Sequence, residues 1–244
     1  MIGRFRSGDE VFYGEIEGNR VYPKNGFSGT SLELSKLRIL PPACPSKIIC
    51  VGLNYKDHAE EFSMEVPKTP ILFLKPPSAV IGQGDKIIYP ASSSRVDYEA
   101  ELAVVIGKRC KKISASRAMD MIAGYTCFND VTARDLQQKD GQWTRAKCFD
   151  SFAAFGPYLA SPEELDVSDA KISCRVNGKI RQESSTSNLI FDIPHLLEFI
   201  SDIMTLEVGD VIATGTPPGV GELHRGDSVE VEICGIGTLR NEVV

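Results

Sequence analysis

Residues 96–106, Val-Asp-Tyr-Glu-Ala-Glu-Leu-Ala-Val-Val-Ile, constrain this chain more than any other segment. The alternation of apolar and acidic residues predicts a β-strand, on which successive side chains point to opposite faces. Asp97, Glu99 and Glu101 then share one face, and Tyr98, Ala100, Leu102 and Val104 share the other. Past Glu101 the acidic face turns apolar at Ala103 and Val105, so it is not a solvated surface along its whole length. Carboxylates crowded on one face repel one another unless a cation or a proton resolves the conflict. All-oxygen ligands of this kind suit Mg²⁺, Mn²⁺ or Ca²⁺. The same alternation fits an ordinary sheet with an acidic outer side, and from this strand alone the two readings stand level.

The rest of the chain reads as strands with a few helices. Val11–Ile16 and Asn19–Tyr22 are short strands around a Glu17-Gly18 turn, and three prolines within residues 41–45 mark a boundary. Proline neither continues a helix nor sits in a central strand. The expected organisation is a small β appendage over 1–45 and a catalytic domain over 46–244. Within the latter, 47–52, 71–75, 96–106, 124–131, 155–159, 171–176 and 228–233 read as strands, with a hairpin turn at Asn177-Gly178. Helical turns are expected over 54–61, 115–121 and 132–139, and a helix opens at Asp192-Ile193-Pro194 with Leu196, Leu197 and Ile200 as its apolar stripe. The class is mainly β with a few helices, without internal repeats.

Further candidates for chemistry lie outside the acidic strand. Asp130 closes an apolar strand just before a helix start, where capping is the commoner role. Lys147 sits among aromatic and small residues, although a lysine is most often at the surface. The chain has three histidines, His58, His195 and His224, too few for a multi-histidine zinc site, and the cysteine spacing offers no structural zinc site. His58 precedes Glu61 by three positions, so on a helix the two share a face. A carboxylate behind a histidine orients the ring and raises its basicity, as a general base requires. An exposed histidine in a charged turn fits the same spacing. His195 and His224 read as helix-start and loop residues.

The net charge of −6 argues against nucleic acid or an anionic membrane as partner. No apolar run approaches the roughly 20 residues of a membrane span. The start, Met1–Gly8, lacks the apolar stretch of a secretory signal. Seven cysteines without a CxxC pair suggest buried thiols and a reducing cytoplasm.

Several segments, taken in order, resemble the fumarylacetoacetate hydrolase family in its small acylpyruvase-like and 2-hydroxyhepta-2,4-diene-1,7-dioate isomerase-like branch. They are 51–58 (VGLNYKDH), 70–76 (PILFLKP), 97–102 (DYEAEL), 129–135 (NDVTARD), 143–147 (WTRAK) and 209–217 (GDVIATGTP). The resemblance implies a mixed β-sandwich roll with the site at one end, in a homodimer. It implies Glu99, Glu101 and Asp130 as metal ligands for Mg²⁺ or Mn²⁺, with Ca²⁺ as a non-native occupant. It makes Lys147 the partner of a developing oxyanion and His58 with Glu61 the water-activating pair. Arg134, Gln137, Gly215 and Thr216 fall on substrate-binding positions, the Gly215-Thr216 loop offering backbone N–H groups to a substrate carboxylate. Asp97 is not a ligand in the family and becomes a supporting residue. His58 lies in a segment that the family uses as a lid, and Cys148 stands where members often carry a smaller residue.

The expected substrate is a small 2-oxo or enol diacid. The first expectation is metal-dependent hydrolysis of the C–C bond of acylpyruvates or related 2,4-dioxo acids. Oxaloacetate decarboxylation or tautomerisation and isomerisation of an enol diacid follow on the same site. A catalytically idle metal-binding scaffold is the remote alternative.

Overall fold

The computed structural model describes residues 1–24, 31–61 and 65–244; residues 25–30 of the expected appendage lie outside the described residues. Strands dominate, as the alternation predicts, and are arranged in sheets of twelve, five and three strands. The centre of the large sheet is Ala100–Ile106, paired antiparallel with Ile122–Asp130 on one side and Val211–Ala213 on the other. Val211–Ala213 runs parallel to Ile48–Gly52, which makes the sheet mixed. Both faces of Ala100–Ile106 are buried. Leu102 and Val104 join the main core, whereas Ala103 and Val105 pack with Phe128, Phe155 and Val211 in a second cluster.

The five-stranded sheet covers the large one. It runs in the order Lys179–Ser185, Lys171–Val176, Ser228–Ile233, Gly237–Val243 and Lys86–Ile87. Its inward residues Ile172, Cys174, Val229, Val231 and Ile233 interleave with Leu102, Tyr125 and Cys127 in one core, the packing of a β-sandwich. The hairpin at Asn177-Gly178 forms as expected, with both residues at positive φ.

Helix Ile193–Ile203 is capped by the Asp192 side chain, which accepts from His195 N–H at 2.9 Å. Leu196, Leu197 and Ile200 are fully buried against the same core. The stretch expected to be a helix over 115–121 is instead two 3-10 turns, Ala115–Arg117 and Met119–Met121. They are too short to present an amphipathic stripe, and the first is tied to helix Ile193–Ile203 by the Ala115 N–H, which donates to Glu198 at 3.1 Å.

The N-terminal strands Ile2–Ser7, Glu10–Glu17 and Arg20–Lys24 form a meander. Phe5, Phe12 and Val21 give it a small core of its own. Ile2 pairs with Leu159, which attaches the meander to the large sheet. No helix among the described residues is long and apolar enough to cross a membrane.

Candidate active site

The acidic segment is broken where it matters. Val96–Tyr98 belongs to the three-stranded sheet, paired with Thr132–Ala133 and Gly221–Leu223. From Ala100 the chain passes into the large sheet. Glu99 is the joint between them, and its N–H donates to the Asn129 side chain at 3.0 Å. Asp130 N–H donates to the Glu99 carbonyl at 2.8 Å, which draws the end of the neighbouring strand alongside. Glu99, Glu101 and Asp130 thereby bring carboxylate oxygens within 4.8 Å of one another, all buried. The reading of this strand as an acidic outer face is overturned: Asp97, Glu99 and Glu101 are 0%, 6% and 1% exposed.

Buried carboxylates on this scale need cations close by. Lys147, at the end of the short helix Thr144–Lys147, donates to Glu99 Oε2 at 2.9 Å and to Asp130 Oδ2 at 2.5 Å. Lys75 Nζ lies 2.5 Å from Asp130 Oδ1 and donates to the Val131 and Phe152 carbonyls at 2.9 and 2.5 Å. Arg134, the first residue of helix Arg134–Asp140, donates to Glu99, to Asp97 at 2.9 Å and to Gln137 at 2.5 Å. Burial opposes ionisation of Glu99, but Lys147 and Arg134 outweigh it and hold the carboxyl well below the usual carboxylate range. Burial likewise opposes the charge on Lys147, and Asp130 and Glu99 overcome it, so the ammonium is held charged.

Glu101 is the exception. Among the described residues it has no salt-bridge partner, and it accepts the Gly215 N–H at 2.8 Å. Burial first, then the charges of Asp130 and Glu99, push its carboxyl well above the usual range. Asp130 Oδ1 is buried without a directed hydrogen bond, its contact with Lys75 being one of charge. Three hard oxygen donors from separate residues, with the Glu101 charge unresolved, fit a hard divalent cation.

The cluster forms the floor of a cleft of about 720 Å³, whose lining includes His58, Arg134, Gln137, Trp143 and Thr216. His58 and Glu61 meet as the spacing predicts, on helix Lys56–Glu61, with His58 Nδ1 3.1 Å from Glu61 Oε2. Glu61 also accepts the Gly219 N–H, at 3.2 and 3.3 Å to its two oxygens. Asp57 anchors this helix from behind, accepting from Ser184 at 2.6 Å and from Asn188 at 3.2 Å.

The 214–216 loop differs from expectation in one respect. Gly215 N–H is directed at Glu101 rather than at the open cleft, so this residue acts on a carboxylate of the floor. Gly215 has φ +99°, and a Cβ there would stand 2.8 Å from Asn54 Cβ, so both backbone conformation and close approach require glycine. Thr216 lines the cleft, and its hydroxyl accepts from Gln182 at 2.8 Å.

Sequence reading assigned no role to Lys75, Arg95, Asn54 or Gln182. Asn54 ties two loops together, donating to the Thr214 carbonyl at 2.8 Å and accepting the Phe191 N–H at 2.8 Å. Gln182 accepts the Ala100 N–H at 3.0 Å and donates to Pro217 O at 2.8 Å. Lys75 alone left a signal, a cation closing an apolar strand directly before two prolines. His195 and His224 stay outside the cleft lining.

The chain is similar in sequence and fold to known proteins. Residues 47–244 match the family model described as the fumarylacetoacetate (FAA) hydrolase C-terminal domain. The chain is 58% identical over 246 residues to an uncharacterized protein of Archaeoglobus fulgidus, covering 100% of this chain and 96% of the relative. It is 46% identical to the mitochondrial oxaloacetate tautomerase Fahd2a of Rattus norvegicus, over 84% of this chain and 69% of that protein. The solved structure of a 5-carboxymethyl-2-hydroxymuconate delta-isomerase from Mycobacterium smegmatis superposes with a TM-score of 0.93 at 47% identity, covering 100% and 98% of the two chains. The match runs through every segment that builds the cleft, and the chain belongs to the fumarylacetoacetate hydrolase family of enzymes.

Proposed function

We propose that this enzyme moves protons on a small 2-oxo or enol diacid, interconverting keto and enol forms of oxaloacetate or an isomeric enol diacid. The observation that carries this reading is the placement of His58, backed by Glu61, on the same cleft as a buried carboxylate–lysine floor. Hydrolysis of an acylpyruvate stood first from the sequence. The relatives near half identity that are named as a tautomerase and an isomerase favour proton transfer instead.

Glu99, Glu101 and Asp130 would hold a divalent cation. When bound, such an ion supplies Lewis-acid polarisation to a chelating 2-oxo acid. Lys147, held charged between Glu99 and Asp130, places positive charge beside the substrate oxygen that gains electron density. Arg134 and Gln137, joined by their own hydrogen bond, present polar groups on the wall of the cleft. His58 exchanges the proton: it accepts one from the enol oxygen or from the carbon beside the carbonyl and returns one to the other position. Glu61 orients the imidazole by its contact with Nδ1. The Gly219 N–H holds Glu61 in turn.

Acylpyruvate hydrolysis remains a second reading, because a histidine backed by a glutamate also activates water. The test follows enol-oxaloacetate decay, pyruvate release and acetylpyruvate cleavage separately, with Mg²⁺ or Mn²⁺ added to metal-stripped protein. Metal-dependent enol decay without pyruvate release, lost in His58→Ala, is the expected result. Cleavage of acetylpyruvate with no effect on the enol would give the assignment to the hydrolase.

A further inference from the structure

Arg95 is a half-exposed cation at the end of the acidic face. It directly precedes the strand Val96–Tyr98 and lines the same cleft as Asp97, Glu99 and Glu101. It grips Asp97 edge-on, Nε to Oδ1 at 2.9 Å and Nη2 to Oδ2 at 3.2 Å. Arg134 donates to the same Asp97 at 2.9 Å and reaches on to Glu99. A ladder of Arg95, Asp97, Arg134 and Glu99 thus runs from the rim to the carboxylate floor.

Two features of this ladder point to a ligand. First, Asp97 is fully buried and shared between two guanidiniums, and Arg134 takes Glu99 as well, so Arg95 has only a shared carboxylate as its salt-bridge partner. Second, the two guanidiniums are used differently. Arg134 directs Nε, Nη1 and Nη2 to protein partners and is 17% exposed. Arg95 is 48% exposed, and its Nη1 has no hydrogen-bond partner among the described residues. Its plane is fixed by the two-point contact with Asp97, so little freedom remains to be lost when a second anion arrives.

We propose that Arg95 is the specificity residue that receives the carboxylate of the substrate farther from the carboxylate floor. It is the group by which this cleft tells a diacid from a monoacid of equal length. The inference deepens the proposed function, since it takes from that reading the binding of the 2-oxo acid end at the floor. Asp97 then holds the Arg95 guanidinium in place, while Arg134 ties the same carboxylate to Glu99.

The test is equilibrium binding by titration calorimetry to the Mn²⁺-loaded full chain, with matched pairs that differ only at the far end. The pairs are 2-oxoglutarate against 2-oxopentanoate and 2-oxoadipate against 2-oxohexanoate. Wild type should bind the dianion more tightly in at least one pair. Arg95→Gln should weaken that dianion about 10- to 100-fold, the range for a hydrogen bond to a charged partner, and leave the monoanion unchanged. Arg95→Lys should restore part of the discrimination.

An equal loss for both members of each pair would overturn the proposal, because it would make Arg95 a mere support for Asp97. Unchanged binding of both would overturn it as well. Failure of the proposed reaction reads out separately: no turnover of oxaloacetate or acetylpyruvate, with Arg95-dependent discrimination intact, would sink the reaction and keep the specificity residue.

Discussion

At the floor of the cleft, Lys75, Glu99, Glu101, Asp130 and Lys147 are at most 6% exposed, whereas at the rim the side chains of Glu61 and Arg95 are 36% and 48% exposed. The same residue types meet different physics in the two places. On the floor, an ion left without its partner has no water to turn to, so geometry there is a condition for folding as well as for chemistry. At the rim, water screens the charges of Glu61 and Arg95, so their contacts contribute less to the fold. The floor is therefore built to hold charge still, and the rim is built to exchange protons and select ligands.

The strongest test of this contrast is Lys75→Met. It removes the cation facing Asp130 Oδ1 from a site with no exposure. Loss of about 3–5 kcal/mol in stability by urea denaturation is expected, the range for breaking a buried ion pair. A loss below about 1 kcal/mol would mean that the floor tolerates unpaired charge, and the comparison with the rim would fail.

His58→Ala should do the reverse. Turnover should fall about 100- to 10,000-fold, as for removal of a general acid–base, while the urea midpoint stays near wild type. A matching drop in stability would show the rim to be structural.

Glu101→Gln sharpens the comparison within the floor, and its sign follows from linkage. A carboxyl raised above its ordinary value binds its proton more tightly in the folded state than in the unfolded one. Metal-free protein should therefore lose stability through this group as pH rises from the ordinary carboxylate range through the raised value. Glu99, held low, contributes the opposite slope: its stabilisation is present above the ordinary value and lost as pH falls through the lowered one. In Glu101→Gln the decline with rising pH should flatten, and the rise in melting temperature expected of wild type with Mn²⁺ should be lost. A wild-type profile that climbs through that window would show that the crowding of Glu101 has been resolved by other means.

The smallest effect belongs to Glu61→Gln. A neutral amide still accepts from Gly219 and still contacts His58, so about a tenfold fall in kcat is expected with stability unchanged. An unchanged kcat would remove Glu61 from the acid–base pair.

Local rules acting on the sequence determined the strand of alternating acids, the Asn177-Gly178 hairpin, the capped helix at Asp192 and the His58–Glu61 pair. Each of these depends on residues within a few positions of one another, where period and spacing decide which faces coincide. The resemblance of six ordered segments supplied Asp130 and Lys147 as members of the same cluster, which no local rule could do. Tertiary structure alone decided the rest. It broke the acidic segment at Glu99, because the two halves pair with different sheets. It turned Gly215 N–H towards Glu101, brought Lys75 onto Asp130 across 55 positions of chain, and set Gln182 of the opposing sheet beneath Thr216. The physical reason is common to all of these. A buried charge or amide is satisfied by whatever the fold packs against it, and that neighbour is chosen by strand register and sheet packing, not by distance along the chain.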